Sequence, residues 1–268
     1  MARVLRIATV NVNGIRAALR RGMGPWLDAV EADVVTLQEV RAPDALVHDL
    51  MADSGFHVVH AEAAAKGRAG VAVLSRTEPK AHRVGHGDPS FDDAGRWIES
   101  DVVLDDGSLL TVVSAYVHSG GVGTPSQDDK YRFLDQLLVR LAELREHADH
   151  AVVTGDFNVG HTERDIKNWR GNLKKAGFLP EERAYLDRVR DDLGWVDVAR
   201  AHAGDVDGPY TWWSWRGQAF DNDTGWRIDY QLATPELAAT AVAARVDRAP
   251  TYAERFSDHA PLVVDYDV

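Results

Sequence analysis

A recurring pattern limits what this chain can become. Short apolar, β-branched runs follow one another, many separated by turn residues and many ending on a polar side chain. They occupy residues 4–12, 56–61, 70–74, 97–104, 109–117, 150–155, 227–233, 241–246 and 261–266. Runs of this length and type are strands. Helical signals are fewer: residues 24–32, residues 181–193, and most clearly 126–147, where Leu134, Leu137, Leu138, Leu141 and Leu144 fall at three-and-four spacing. Many strands with few, dispersed helices predict an α+β fold, two packed sheets with helices outside. No Pro/Gly/Ser linker, internal repeat or low-complexity tract divides the chain, so a single domain over 1–268 is expected.

Composition narrows the class. No apolar run approaches the roughly 20 residues of a membrane span. The opening "MARVLRIATVNVNG" passes straight into a strand pattern, with no basic segment and apolar stretch of a secretory leader. There are no cysteines, which excludes disulfides, zinc–thiolate sites and thiol nucleophiles. A cytoplasmic protein is expected. The net charge of −12 argues at first against nucleic acid, because phosphate binding is driven by Lys and Arg contacts. Total charge is a global quantity, however, and binding needs only a local basic surface. An acidic cluster that holds a divalent cation also adds negative charge at the site itself.

The polar residues at strand ends carry the chemistry. Asn11 and Asn13 follow the first run, Glu39 follows "ADVVTLQ", Tyr116 and His118 follow "LLTVVSA", Asp156 and Asn158 follow "HAVVTG", and Asp258 and His259 precede the last run. If these ends converge they form one acidic pocket floor. Each residue also has a structural explanation. Glu39 could be metal-bound or paired with Arg41. Asp156 and Asn158, two apart, share one side of an extended segment, or else form a capped turn. Asp229 in "GWRIDYQL" wants a partner, an imidazole on one side of the argument and Arg227 or Arg245 on the other. Tyr116 is a phenol donor or an ordinary strand aromatic. The aromatics of "PYTWWSW", with Trp226 after them, are core or an apolar pocket.

Taken in order, "NVNGIRA", "LQEV", "GVAVLS", "GRWIESDV", "AYVHSG", "GDFNVGHTERDIKNWRGN", "AGFLPEER", "PYTWW", "GWRIDYQL" and "SDHAPLVV" resemble the exonuclease III family of apurinic/apyrimidinic endonucleases, within the DNase I-like superfamily. "GDFN" with "SDHAPL" marks the superfamily. "HTERDIKNWRGN", "AGFLPEER" and "GWRIDY" mark the DNA-repair branch. The resemblance implies a four-layer α/β sandwich, helix–sheet–sheet–helix. It implies Mg²⁺-dependent hydrolysis, with Mn²⁺ as a substitute, of the phosphodiester 5′ to an abasic site. Removal of 3′ blocks and 3′→5′ exonuclease activity go with it, as do double-stranded DNA as partner and a monomeric state.

The motifs then assign roles. Glu39 is implied as the main metal ligand with Asn13 and Asp258 beside it. Asp156 is implied as base or water-positioner, Asn158 and Asn11 as its orienting partners, and Tyr116 as a phosphate or leaving-group contact. His259 is implied as the partner of Asp229. Trp212, Trp226 and Ile228 match a pocket for the flipped abasic sugar. Arg16, His118, His161 and Lys167 are expected among the remaining substrate contacts. Two departures stand out: Asn13 where some relatives carry Asp, and Trp212 where some carry Phe. Whether Asp156 or His259 takes the proton of water is open at this level. The chemistry suits the residue types, since a hard, oxygen-ligated cation relieves phosphate charge and a missing base makes flipping cheap.

Overall fold

In the computed structural model, which describes residues 4–268, the strand pattern becomes two six-stranded sheets. The first positions of the chain, where the absence of a leader was expected, lie partly outside the described residues.

The strands are β1 (Val4–Asn11), β2 (Val34–Gln38), β3 (His57–Ala61), β4 (Val71–Ser75), β5 (Ala81–Val84), β6 (Trp97–Val103), β7 (Leu109–Tyr116), β8 (His150–Asp156), β9 (Val196–Asp197), β10 (Asp229–Ala233), β11 (Ala241–Val246) and β12 (Leu262–Asp267). One sheet runs β11-β12-β1-β2-β4-β3 and the other β5-β6-β7-β8-β10-β9. The α-helices are α1 (Ile15–Arg20), α2 (Met23–Val30), α3 (Asp44–Met51), α4 (Pro125–His147), α5 (Pro180–Asp191), α6 (Val198–Ala203) and α7 (Pro235–Ala238).

The period-two alternation of the strands sorts side chains into layers. Ile7, Val112 and Val152 pack between the sheets. Their neighbours face outward: Ala8 packs with α1, α2 and α3 residues such as Ile15, Leu27 and Val47, while Val113 and Val153 pack with Phe133, Leu137 and Leu141 of α4. The result is the expected helix–sheet–sheet–helix sandwich.

Each sheet holds one parallel pair at its centre, β1 with β2 and β7 with β8. Parallel neighbours require a crossover. Helices α1 and α2 supply the first and α4 the second. The carboxyl ends of these four strands therefore point the same way within each sheet, the place where open α/β sheets present their ligand-binding loops. A polar seam locks the sheets together below that end. Thr36 and Thr154 hydroxyls lie 2.6 Å apart across the gap, and the Gln38 amide donates to Ser114 Oγ at 2.9 Å.

Three expectations shift. The run 227–233 enters its sheet only at Asp229, because Arg227 is drawn aside to pair with Asp165 and Asp197. Strands β5 and β9 were not expected; β5 is an exposed edge with no apolar alternation, and β9 has two residues. Helices α1, α3, α6 and α7 were also not expected; α1, α6 and α7, of six residues or fewer, are too short to show a helical period.

Candidate active site

The four central strand ends and the turn before β12 converge on one cavity of about 440 Å³. Its lining includes Asn13, Glu39, Tyr116, Asp156, Asn158, Trp212, Trp226, Ile228, Asp258 and His259. Asn11 and Asp229 lie fully buried directly beneath.

The local backbone is unusual where it matters. Asn13, Glu39 and Asn158 all take the left-handed conformation, at φ of 46°, 50° and 51°. Such conformers cost about 1–3 kcal/mol and persist where surroundings enforce them. Each sits just past a strand end, where the chain turns sharply and swings its side chain over the floor. Gly155, just before Asp156, has φ of 130°, and a Cβ there would lie 2.0 Å from the carbonyl oxygen of Ala115. Only glycine lets β8 lie that close to β7 at this point.

Asn11 links the floor. Its Nδ2 donates to Glu39 Oε1 and to Asp156 Oδ2, both at 2.9 Å. The Tyr116 hydroxyl donates to the same Glu39 oxygen at 2.8 Å. Burial and the nearby Glu39 carboxylate push the Tyr116 phenol well above its usual range, so it remains a donor. Asp156 also accepts from the backbone and side-chain nitrogens of Asn158, at 2.8 and 3.2 Å. Asn13 Nδ2 donates to Asp258 Oδ1 at 2.8 Å, and Trp212 Nε1 donates to Asp258 Oδ2 at 3.1 Å.

His259 closes the floor on the other side. Its Nδ1 lies 2.8 Å from Asp229 Oδ2, and its Nε2 lies 3.8 Å from Asp156 Oδ2. The same Asp229 oxygen accepts from Thr211 Oγ1 at 2.6 Å. Asp229 thus pairs with the imidazole, while Arg227 pairs with Asp165 and Asp197, and Arg245 with Asp247. Burial works against a charged imidazole, but Asp229 and then Asp156 outweigh it and raise His259. Burial, reinforced by Asp229 and Glu39, raises Asp156, against the pull of His259 and Asn11.

The apolar wall stands beside this floor. Trp212 and Trp226 meet edge to face, with ring centroids 6.0 Å apart at 87°. Their backbones exchange hydrogen bonds, Trp212 N to Trp226 O and the reverse, both 2.9 Å. Ile228 continues the wall.

Four expected contacts lie elsewhere. Arg16 is exposed on α1. The His118 ring packs against Phe91 and Phe133. His161 faces Asp187 at 2.9 Å. Lys167 lines a separate cleft of about 590 Å³ with Arg164, Arg170, Arg183 and Trp169. Residues not expected at the site also appear. Thr211 braces Asp229, the Ser257 hydroxyl donates to Asn11 O at 2.6 Å, and the Arg96 guanidinium sits over the Tyr116 ring at 4.6 Å. Thr211 gives no signal in a tryptophan-rich stretch, and Arg96 none in the loop just before β6.

The Glu39 carboxylate also meets the Arg41 guanidinium, so the salt bridge and the cavity-floor role coexist. Among the described residues no group of three or more His, Asp or Glu side chains is pre-arranged as a metal shell. Besides Asp156, the cavity lining offers the Glu39 and Asp258 carboxylates and the Asn13 amide as oxygen donors. That set fits a cation such as Mg²⁺, which binds through one or two carboxylates and keeps several waters.

A buried imidazole–carboxylate pair facing a second carboxylate on a two-sheet scaffold is an arrangement suited to hydrolysis. The profile of the endonuclease/exonuclease/phosphatase family matches residues 8–259. An exodeoxyribonuclease of Bacillus subtilis is 32% identical over 96% of this chain and 98% of its own length. Exodeoxyribonuclease III of Haemophilus influenzae is 30% identical over 98% of this chain and 100% of its own. The structure of an AP endonuclease from Archaeoglobus fulgidus superposes with a TM-score of 0.84, at 32% identity, covering 98% of this chain and 100% of that one. The chain belongs to the endonuclease/exonuclease/phosphatase family.

Proposed function

We propose that this DNA-repair nuclease hydrolyses the phosphodiester 5′ to an abasic site in double-stranded DNA, leaving a 3′-hydroxyl, and removes 3′ blocking groups and 3′ nucleotides at the same centre. The observation that carries the proposal is the contiguity of two surfaces: the apolar wall of Trp212, Trp226 and Ile228 adjoins the polar floor of Asp156, Asn158 and His259 in one cavity. A sugar without a base presents a small, largely apolar body beside a phosphate, and this cavity matches both. The names of the relatives support a DNA substrate.

Glu39, Asp258 and Asn13 would hold the Mg²⁺, or Mn²⁺ in its place. When bound it would neutralise phosphate charge and ease departure of the leaving oxygen. The chain's own groups do the rest. His259, kept protonated by Asp229, turns its Nε2–H toward a phosphate oxygen and so does not serve as the base. Asp156, raised in pKa and held by Asn11 and Asn158, accepts the proton of the attacking water. The Tyr116 hydroxyl, which donates to Glu39, would donate to the leaving oxygen. Lys167 and Arg170 in the neighbouring cleft, with Arg16 on α1, grip phosphates outside the reacting bond. His118 and His161 act by shaping the loops that carry Ser119 and Thr162. The chain works as a monomer, as one catalytic domain, in the cytoplasm.

The deciding experiment is incision of an abasic duplex, an intact duplex and a small phosphoester in Mg²⁺, with and without EDTA and in Glu39→Gln. Incision confined to the abasic duplex, lost with EDTA and with the variant, is expected. Equal rates on intact and abasic DNA would point to a non-specific nuclease, a β-elimination product to a lyase, and no incision at all to a silent binding protein.

A further inference from the structure

Lys130 is a charged side chain with no exposed surface, on a helix outside the reaction centre. It lies near the start of α4, the crossover from β7 to β8. Its ammonium lies 2.7 Å from Glu182 Oε1, and it donates to the backbone carbonyls of Asn158 at 2.9 Å and Ser119 at 3.4 Å. Glu182, also fully buried, accepts from Gly177 N at 2.6 Å and Leu179 N at 3.0 Å. Gln127, one helical turn before Lys130, donates to Glu182 at 3.0 Å and accepts from Gly121 N at 2.9 Å. Three loops are joined by this network, and Ser119, Asn158 and Gly177 from those loops all line the cavity.

We propose that Lys130 is a positioning residue for the reaction, holding these loops in one register through Glu182 and Gln127. The inference rests on the function proposed above. A buried ion pair is a poor stabiliser, since an apolar pair of similar volume is often as stable or more so. What this pair does supply is direction: it spends its hydrogen bonds on backbone atoms of three separate loops. The left-handed Asn158 is held at both ends: its side chain donates to Asp156 and Val117 O, and its carbonyl accepts from Lys130 Nζ. Gly177 shows how little slack the wall has. Its φ is 91°, and a Cβ there would lie 2.9 Å from the Trp226 ring and 3.1 Å from Asn158 O.

The test is the double variant Lys130→Met/Glu182→Gln, which removes both charges together and keeps an acceptor for Gly177 N and Leu179 N. It is assayed beside the wild type on abasic duplex in Mg²⁺, with thermal melting and residue-resolved amide exchange. The expected result is near-wild-type melting, kcat lower by about 10- to 100-fold, KM changed by less than about 3-fold, and exchange about 10-fold faster at residues 119–121, 157–160 and 176–179 alone. Full activity together with unchanged exchange would overturn the proposal and leave the pair a structural one. Loss of melting stability with wild-type kcat per folded molecule would do the same. Should the wild type fail to incise, the function proposed above falls, and the exchange pattern still judges the role of Lys130. Should the double variant not fold, Gln127→Met cuts one strand of the network; a kcat about 3-fold lower supports the proposal, and an unchanged kcat and exchange rate oppose it.

Discussion

Asp156 and Asp229 stand directly opposite each other across the antiparallel ladder of β8 and β10. Two acids in that relation repel and weaken a sheet. His259 resolves the conflict by entering between them from the turn before β12, close to Asp229 and within 3.8 Å of Asp156. One cation serves two carboxylates, so the two acids differ in character. Asp229 is enclosed, bonded to His259 and Thr211; Asp156 faces the cavity with its pKa raised.

Asp229→Asn should therefore damage catalysis more than folding. The amide fits the same space but no longer holds the imidazole protonated. We expect kcat to fall by about 10²- to 10⁴-fold with binding of abasic duplex little changed. The pH dependence has a definite sign. In the wild type His259 is raised and keeps its proton past neutrality. In the variant that proton is lost as pH rises through the ordinary histidine range, about 6 to 8, so single-turnover rates should decline across that interval only in the variant. Parallel pH profiles for the two proteins would refute the division of roles.

A second acid governs stability rather than chemistry. Asp165 is fully buried and accepts from Arg227 Nε and Arg200 Nη2, both at 2.6 Å, and from Thr162 N at 2.7 Å. Burial alone would raise it, but Arg227 and the hydrogen bonds hold it well below the usual carboxylate range. A depressed folded-state pKa contributes stability that is present above the unfolded value of about 4 and is lost as pH falls below it. Asp165→Asn leaves Arg227 under-compensated and should cost about 3–5 kcal/mol at neutral pH. Denaturation curves should also show the variant losing less stability than the wild type between about pH 5 and 2. An equal acid response in both would mean that other carboxylates set it.

What could be read ahead of the fold followed from short-range rules. A polar residue closing an apolar run marks a strand end, and Asn11, Glu39, Tyr116 and Asp156 obeyed it because parallel strands put their carboxyl ends together. That Asp229 needs a partner followed from chemistry, since a buried acid does; the choice of His259 over Arg227 or Arg245 came from the family resemblance. The rest depends on distances that spacing does not encode. Lys130 and Glu182, 52 positions apart, look like ordinary surface charges on helices. The left-handed turn at Glu39 carries no signal either, because glutamate has no preference for it. His118 follows a strand end like the others, yet its ring turns into the Phe91–Phe133 cluster.

The cleft beside the cavity gives this acidic chain a local cluster of cations. Arg164, Lys167, Arg170 and Arg183 line it together with Glu163 and Asp207. Arg164 is paired with Asp205, and the Arg170 guanidinium lies over Trp169. Lys167→Ala should weaken binding to abasic and intact duplex by similar factors, since a phosphate contact carries no sequence or lesion information. The slope of log K against log salt should become shallower by about one unit. An unchanged slope would place the DNA backbone elsewhere.

The last expectation concerns Trp212, whose indole does two jobs at once. Its ring forms half of the apolar wall against Trp226, and its Nε1 donates to Asp258 at 3.1 Å. Trp212→Phe keeps an aromatic wall but widens the pocket and frees one Asp258 oxygen. The two consequences separate in the kinetics. A wider pocket admits bulkier nucleotides, so incision of intact duplex should rise while that of abasic duplex falls, and the ratio of their kcat/KM values should drop by about 10-fold. Freeing the Asp258 oxygen alters the carboxylate that would share the Mg²⁺ with Glu39, so the Mg²⁺ concentration for half-maximal activity should move as well. Trp226→Phe, whose indole nitrogen has no such tie, should change the ratio without moving the Mg²⁺ requirement. If both variants shift the Mg²⁺ requirement equally, the Trp212–Asp258 hydrogen bond has no part in setting it.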